Sequence, residues 1–182
     1  MYIYFFTRCL VFRYCIVFLS FCGLLHSPKA QAVDLAFGYQ GISVDKGISL
    51  QLSVPRIWDA SGVFLEVSGN ETAGIPLGEA QVQHKNYLLW HAGWSWEKPI
   101  QENLHWTWVF GLGTTLPRAD LEDKITLTGT LRTGIEHQFH PKVRSYVMLG
   151  VEMNLWNRAT GIIGEPYYAR GTTSQFGFRF SL

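Results

Sequence analysis

The chain has 182 residues, 47% of them hydrophobic and 15% aromatic, with a formal net charge of +1. That length beyond a leader makes one domain, and the near-neutral charge supplies no basic field for nucleic acid. Cys9, Cys15 and Cys22 all fall in the first 22 residues, so the rest of the chain has neither a disulfide framework nor thiol chemistry.

Residues 1–32 read as a secretory signal peptide. Arg8 and Arg13 supply its positive charge, and Tyr14 to Leu25 is an apolar run of 12 residues. As a helix that run is too short for a bilayer core of ~30 Å. Ala30-Gln31-Ala32 is a small-x-small cleavage site. Phe21 is too large for lipid attachment at Cys22. Removal of Arg8, Arg13 and Lys29 leaves 12 basic residues against 14 acidic ones in the domain 33–182.

No helical period of useful length follows residue 33. Eight segments alternate instead, over 33–42, 45–55, 62–70, 84–97, 103–115, 123–139, 143–156 and 172–182. In the fourth, Leu88, Trp90, Ala92, Trp94 and Trp96 share a face opposite Leu89, His91, Gly93, Ser95 and Glu97. In the fifth, Leu104, Trp106, Trp108, Phe110 and Leu112 oppose His105, Thr107, Val109, Gly111 and Gly113. In the sixth, Leu127, Leu131, Ile135 and Phe139 oppose Thr126, Thr128, Thr130, Arg132, Glu136 and Gln138. In the seventh, Val147, Leu149, Val151 and Met153 oppose Arg144, Tyr146, Gly150 and Glu152. Alternation over this many segments predicts an antiparallel sheet.

Short connections alternate with long ones. Trp58–Ser61, Lys98–Asn103 and His140–Lys142 are short, whereas Ser68–Gln83, Thr114–Asp123 and Asn157–Thr172 are long. That is the anatomy of a transmembrane β-barrel with its long loops outside the cell. The tight hairpin at Asp45-Lys46-Gly47 is the exception. A soluble eight-stranded barrel with the faces reversed is the competing architecture, but its interior is only wide enough for side chains to fill. Trp90, Trp94, Trp96, Trp106 and Trp108 would overfill it, whereas the Gly-, Ser- and Thr-rich face fits inside. Trp94, Trp96, Trp106 and Trp108 flank one short turn, as an aromatic belt at the periplasmic interface would.

The inward face then carries Asp34, Glu66, His91, Glu97, His105, Arg132, Glu136, Arg144, Glu152 and Arg179. If the His140-Pro141 turn sets register, Arg132 lies opposite Gly150 and diagonal to Glu152, and Arg144 lies opposite Gln138 and diagonal to Glu136. Asp34, Arg132, Glu136, Arg144, Glu152 and Arg179 are the expected lumen charge network, because buried charges persist only when paired. Glu136, His137 and His140 diverge and make no metal site. Gly111 and Gly113 follow no strand-to-helix pattern, so they leave space in the lumen rather than form a phosphate loop. In the last long loop, Arg158, Ile162, Ile163, Tyr167, Tyr168 and Arg170 are the candidate surface-binding residues, since Tyr and Arg are over-represented in interface hot spots.

The chain closes on Ser174–Leu182, with Phe176, Phe178, Phe180 and Leu182 on one face. This pattern resembles the C-terminal signal by which Gram-negative outer-membrane barrels are recognised for insertion, with Leu182 where those usually end in Phe. Strand count, loop pattern and lumen charges resemble the small OmpA-like and opacity-type barrels, and Gly134–Arg144 is similar to a strand–turn–strand unit recurring there. The layouts of Asp34–Tyr39 and Tyr87–Gly113 are also similar to the PagL-type lipid A deacylases. That resemblance implies ester hydrolysis by a Ser–His pair with an acidic partner. The comparable strand here, Met148–Asn154, lacks the family's His-x-Ser, so no catalytic residue is carried over.

These readings set the expectations. The fold is an all-β, eight-stranded antiparallel up-and-down transmembrane barrel behind a signal peptide. It is a monomer in the outer membrane of a Gram-negative bacterium, with both termini of the barrel in the periplasm. Its partners are outer-membrane lipid, lipopolysaccharide and the barrel-assembly machinery, with no cofactor, metal or nucleic acid. Its role is structural or surface-interacting, with a lipid A-modifying enzyme and a narrow pore as alternatives.

Overall fold

A computed structural model describes residues 33–58, 60–71, 75–76, 82–83, 86–117, 126–157 and 170–182. The signal peptide expected over 1–32 lies outside these residues. Eight strands form the barrel: β1 (Asp34–Ile42), β2 (Asp45–Trp58), β3 (Ser61–Glu71), β4 (Asn86–Gln101), β5 (Leu104–Pro117), β6 (Thr126–His140), β7 (Val143–Asn157) and β8 (Gly171–Ser181). Each pairs antiparallel with its neighbours in sequence, and β1 pairs with β8 to close the ring. The seam runs without a break from Asp34↔Ser181 to Ile42↔Thr173. It is prolonged at one end by Ser43 N–H donating to the Thr172 carbonyl (2.6 Å) and at the other by Leu182 N–H donating to Val33 (2.9 Å). Closure removes the unpaired edge that no hydrocarbon medium would tolerate.

Several strands run longer than their alternation suggested. β4 continues through Lys98-Pro99-Ile100-Gln101, a stretch whose composition reads as a turn, and the reversal falls on Glu102 and Asn103. β2 continues past Pro55 to Trp58. Proline lacks the ladder donor, and both prolines sit at irregularities in the pairing. Register shifts between Val54 and Trp58 and between Pro99 and Gln101. The first shift leaves Arg56 at φ 54°. In the connection after β3, where the sequence suggested only loop, Ile75–Pro76 pairs with Val82–Gln83.

Period 2 sorts the side chains into two environments. The exterior is apolar around the ring. Phe37, Leu50, Trp94, Phe110, Leu131, Val147 and Phe176 are each about half exposed. On β3, Val63, Leu65 and Val67 also face out, partly covered by taller neighbours. A soluble monomer rarely exposes an apolar patch of more than a few hundred Å², so this continuous band requires an apolar medium. The interior holds the polar residues. Gln40, Ser49, Gln51, Glu66, His91, Thr107, Thr128, Arg132, Glu136, Gln175 and Arg179 are all buried. Glycines on the inner face leave room for them: a Cβ on Gly111 would lie 2.8 Å from Phe64 Cζ, and one on Gly113 would lie 2.5 Å from His91 Cδ2.

Candidate functional site

Beneath a buried cluster of Ile42, Tyr87 and Leu89 at the long-loop end, the lumen is built in three layers. At the level nearer the long loops, Arg132 of β6 reaches across the barrel. Its Nη2 donates to Glu66 Oε2 on β3 (3.0 Å) and its Nη1 to Gln175 Oε1 on β8 (2.6 Å). Gln175 Nε2 in turn donates to Ser49 Oγ on β2 (2.6 Å) and to Glu66 Oε2 (3.2 Å). In the same layer His91 Nε2 on β4 meets Glu152 Oε1 on β7 at 2.7 Å and Thr128 Oγ1 on β6 at 3.2 Å. Six strands are thereby laced through side chains alone.

The second layer is apolar. Ala36, Phe64, Val109, Tyr146 and Met148 form a buried cluster. The third lies toward the short turns. Arg179 on β8 meets Glu136 Oε1 (3.0 Å) and Glu97 Oε1 (3.3 Å), and Arg144 on β7 meets Glu97 Oε2 (3.1 Å) and Glu136 Oε2 (3.5 Å). Arg179 also donates to Gln51 Oε1 (3.3 Å), and its guanidinium lies 5.9 Å from the Tyr146 ring centroid. Asp34 is fully buried at this end, and neither carboxylate oxygen makes a hydrogen bond to a described residue.

All six charges expected in the lumen face inward, but they are not one network. Arg144 and Glu136 meet, as their diagonal placement implies, and Arg132 does stand opposite Gly150. Arg132 pairs with Glu66 rather than Glu152, and Glu152 turns to His91. Arg132 sits on β6 while Glu152 on β7 is claimed by a residue of β4, across the ring. Gln175, Ser49, Gln51 and Thr128 complete the layers. Their parity places them inside, but nothing in the sequence matches them to their partners.

Among the described residues these contacts tie one strand to another across the lumen. Thr128 and Glu152 approach the same nitrogen of His91, whereas a relay needs the acid on the opposite one. The nearest carboxylate oxygen to His91 Nδ1 is Glu66 Oε1 at 3.9 Å, beyond hydrogen-bond reach. Ion pairs in a low-dielectric lumen hold strands together when both partners are satisfied.

The exterior carries its own ordered feature near the short turns. Trp96 stacks on Trp108 (4.8 Å) and Trp106 on Trp108 (4.7 Å). Trp106 Nε1 donates to Thr133 Oγ1 at 2.6 Å. Of the candidate surface loop, Arg158, Ile162, Ile163, Tyr167 and Tyr168 lie outside the described residues. Arg170 lies just before β8, half-buried.

No family model matches the chain, and neither does any curated protein. Solved structures do. The N-terminal β-barrel domain of Pseudomonas aeruginosa OprF is 16% identical, with 83% of this chain and 97% of that one covered, at a TM-score of 0.50. The attachment invasion locus protein Ail of Yersinia pestis, in complex with the heparin analogue sucrose octasulfate, is 10% identical over 83% and 97% of the two chains, at 0.51. The Yersinia pestis outer membrane protein Ail in a phospholipid bilayer nanodisc is 11% identical over 83% and 99%, at 0.49. The likeness is one of fold: the chain is a small eight-stranded barrel of the outer-membrane type.

Proposed function

We propose that this chain is an outer-membrane barrel of structural or surface-interaction role, which anchors in the bilayer and displays the connections over 72–85, 118–125 and 158–170. The observation that carries this reading is the pairing of an apolar exterior on all eight strands with an interior filled by three layers of packed side chains. Such a body sits in a membrane and holds loops; the chemistry that varies lies in what those loops meet. Arg158 and Arg170, with Tyr167 and Tyr168, suit an anionic or polysaccharide partner. The Ail barrel, of the same fold, is solved with a sulfated sugar analogue. Enzymatic modification of lipid A has less behind it, because the Thr128–His91–Glu152 contact lacks relay geometry. A pore has less behind it because the lumen is filled.

The test replaces residues 160–169 with a short Gly-Ser linker. The barrel is expected to keep its heat-modifiable migration on gels, while adhesion of expressing cells to an immobilised sulfated polysaccharide is lost. Unchanged adhesion removes the loop from the site. Lipid A from cells with and without the gene is expected to carry the same acyl chains; a gained or lost chain overturns the non-enzymatic role.

A further inference from the structure

One place on the exterior is recessed. Four residues stand in a row across β2, β3, β4 and β5: Ile48 pairs with Gly69, Gly69 with Leu88, and Leu88 with Leu116. Ile48, Leu88 and Leu116 project outward, and Gly69 projects nothing. Strands lie ~4.8 Å apart, so Ile48 and Leu88 form two walls about 10 Å apart at their backbones over a floor of bare chain. The groove has a volume of about 660 Å³.

The missing side chain is not demanded by the fold. A Cβ on Gly38, Gly93, Gly113, Gly134, Gly150 or Gly177 would fall within 2.5 Å of a backbone oxygen of the neighbouring strand. A Cβ on Gly69 would meet nothing nearer than Leu88 Cδ2, at 3.8 Å, which is ordinary contact. Nor is the backbone of Gly69 in the left-handed region. Packing and conformation both permit a larger residue, so what the glycine preserves is space on the membrane side.

The groove changes chemistry along its length. Two residues further toward the long loops, Lys46 pairs with Glu71 and Glu71 with Asn86, all three exposed and lining the same groove. That step is ~7 Å along the strands. An apolar slot one side chain deep therefore ends in an ammonium, a carboxylate and an amide.

We propose that this groove binds lipid A, seating one acyl chain over Gly69 between Ile48 and Leu88 and its phosphorylated glucosamine head against Lys46 and Asn86. The occupant has to be amphiphilic because the groove is. Lys46 matches a phosphate, and Asn86 matches sugar hydroxyl and amide groups. The choice of lipid A over a glycerophospholipid rests on the outer-membrane placement proposed above, which sets the long-loop end in the outer leaflet.

The experiment uses the refolded barrel in detergent and native mass spectrometry with added lipid A, or with phosphatidylethanolamine in a parallel arm. Heat-modifiability first establishes that each protein is folded, and a wild-type chain with no heat-modifiable form fails the membrane-barrel reading itself. With a folded barrel, the wild type is expected to retain one lipid A. Gly69→Leu, which fills the slot, is expected to retain about tenfold less, a loss equivalent to ~1.4 kcal/mol. Lys46→Met is expected to lower retention severalfold and to flatten its dependence on salt. Val151→Leu, an exterior enlargement on the opposite side of the ring, is expected to leave retention unchanged. Equal retention by wild type and Gly69→Leu overturns the site, as does a wild type that holds phosphatidylethanolamine as well as lipid A, or holds neither. If Gly69→Leu does not fold, Lys46→Met decides alone: wild-type retention overturns the proposal and reduced retention supports it.

Discussion

Arg132 on β6 and Glu66 on β3 meet at 3.0 Å across the lumen, although their strands are not neighbours and 66 residues separate them. Both are buried, and Gln175 bonds to each of them. The contact ties opposite walls of the barrel, so its loss is felt by the whole ring rather than by one hairpin.

Truncating one member of such a pair strands the other charge, at ~3–5 kcal/mol. Arg132→Ala is expected to lower the urea stability of the refolded barrel by that amount. Lys142→Ala, in the exposed β6–β7 turn, should stay within about 0.5 kcal/mol of wild type. Equal, small effects from both would mean that water already reaches Arg132.

Two of the three acids in the third layer differ in partners. Glu136 forms ion pairs with Arg179 and Arg144, whereas Asp34 forms none with a described residue. Neutralising Glu136 removes attraction from two guanidinium groups. Glu136→Gln is expected to cost about 1–3 kcal/mol, and Asp34→Asn less than about 1 kcal/mol, since the amide replaces a carboxylate that has few bonds to lose. Denaturant midpoints of the two variants compare them directly, and the reverse ranking would place Asp34 at the centre of the ion cluster.

Glycine substitutions separate inside from outside. A Cβ on Gly113 would sit 1.7 Å from the Trp90 carbonyl oxygen, so the β4–β5 ladder must move. Gly113→Ala is expected to cost at least ~1–3 kcal/mol, the range for overpacking. Gly69→Ala, with open space before it, is expected to change stability by no more than about 0.5 kcal/mol. The check is the difference in unfolding free energy between these two single-methyl variants.

The stacked Trp96, Trp106 and Trp108 should lie at a membrane interface, as aromatic belts do. In a variant whose other four tryptophans are phenylalanine, lipids brominated near the headgroup are expected to quench fluorescence more strongly than lipids brominated near the chain end. Stronger quenching from the deep bromine would move the belt into the hydrocarbon and shift the barrel's vertical placement.

What the sequence determined by itself was parity and the registers that short turns enforce. Side chains alternate with period 2 wherever a strand exists, so Thr128, Arg132 and Glu136 could be placed inside, and Leu131 and Ile135 outside, without coordinates. The turn at Pro141-Lys142 fixes its hairpin, so Arg132 opposite Gly150 and Gln138 opposite Arg144 followed from counting. Only the tertiary structure decided who meets whom across the lumen. Arg132 chose Glu66, and Glu152 chose His91, because closure brings non-sequential strands face to face at heights that depend on tilt and on the irregular pairing at Pro55 and Pro99. The groove at Gly69 was equally hidden. It depends on four strands standing in register, with the long connection after β3 between two of them. No local pattern in the chain records that a glycine will stand between an isoleucine and a leucine, with a lysine in the next row.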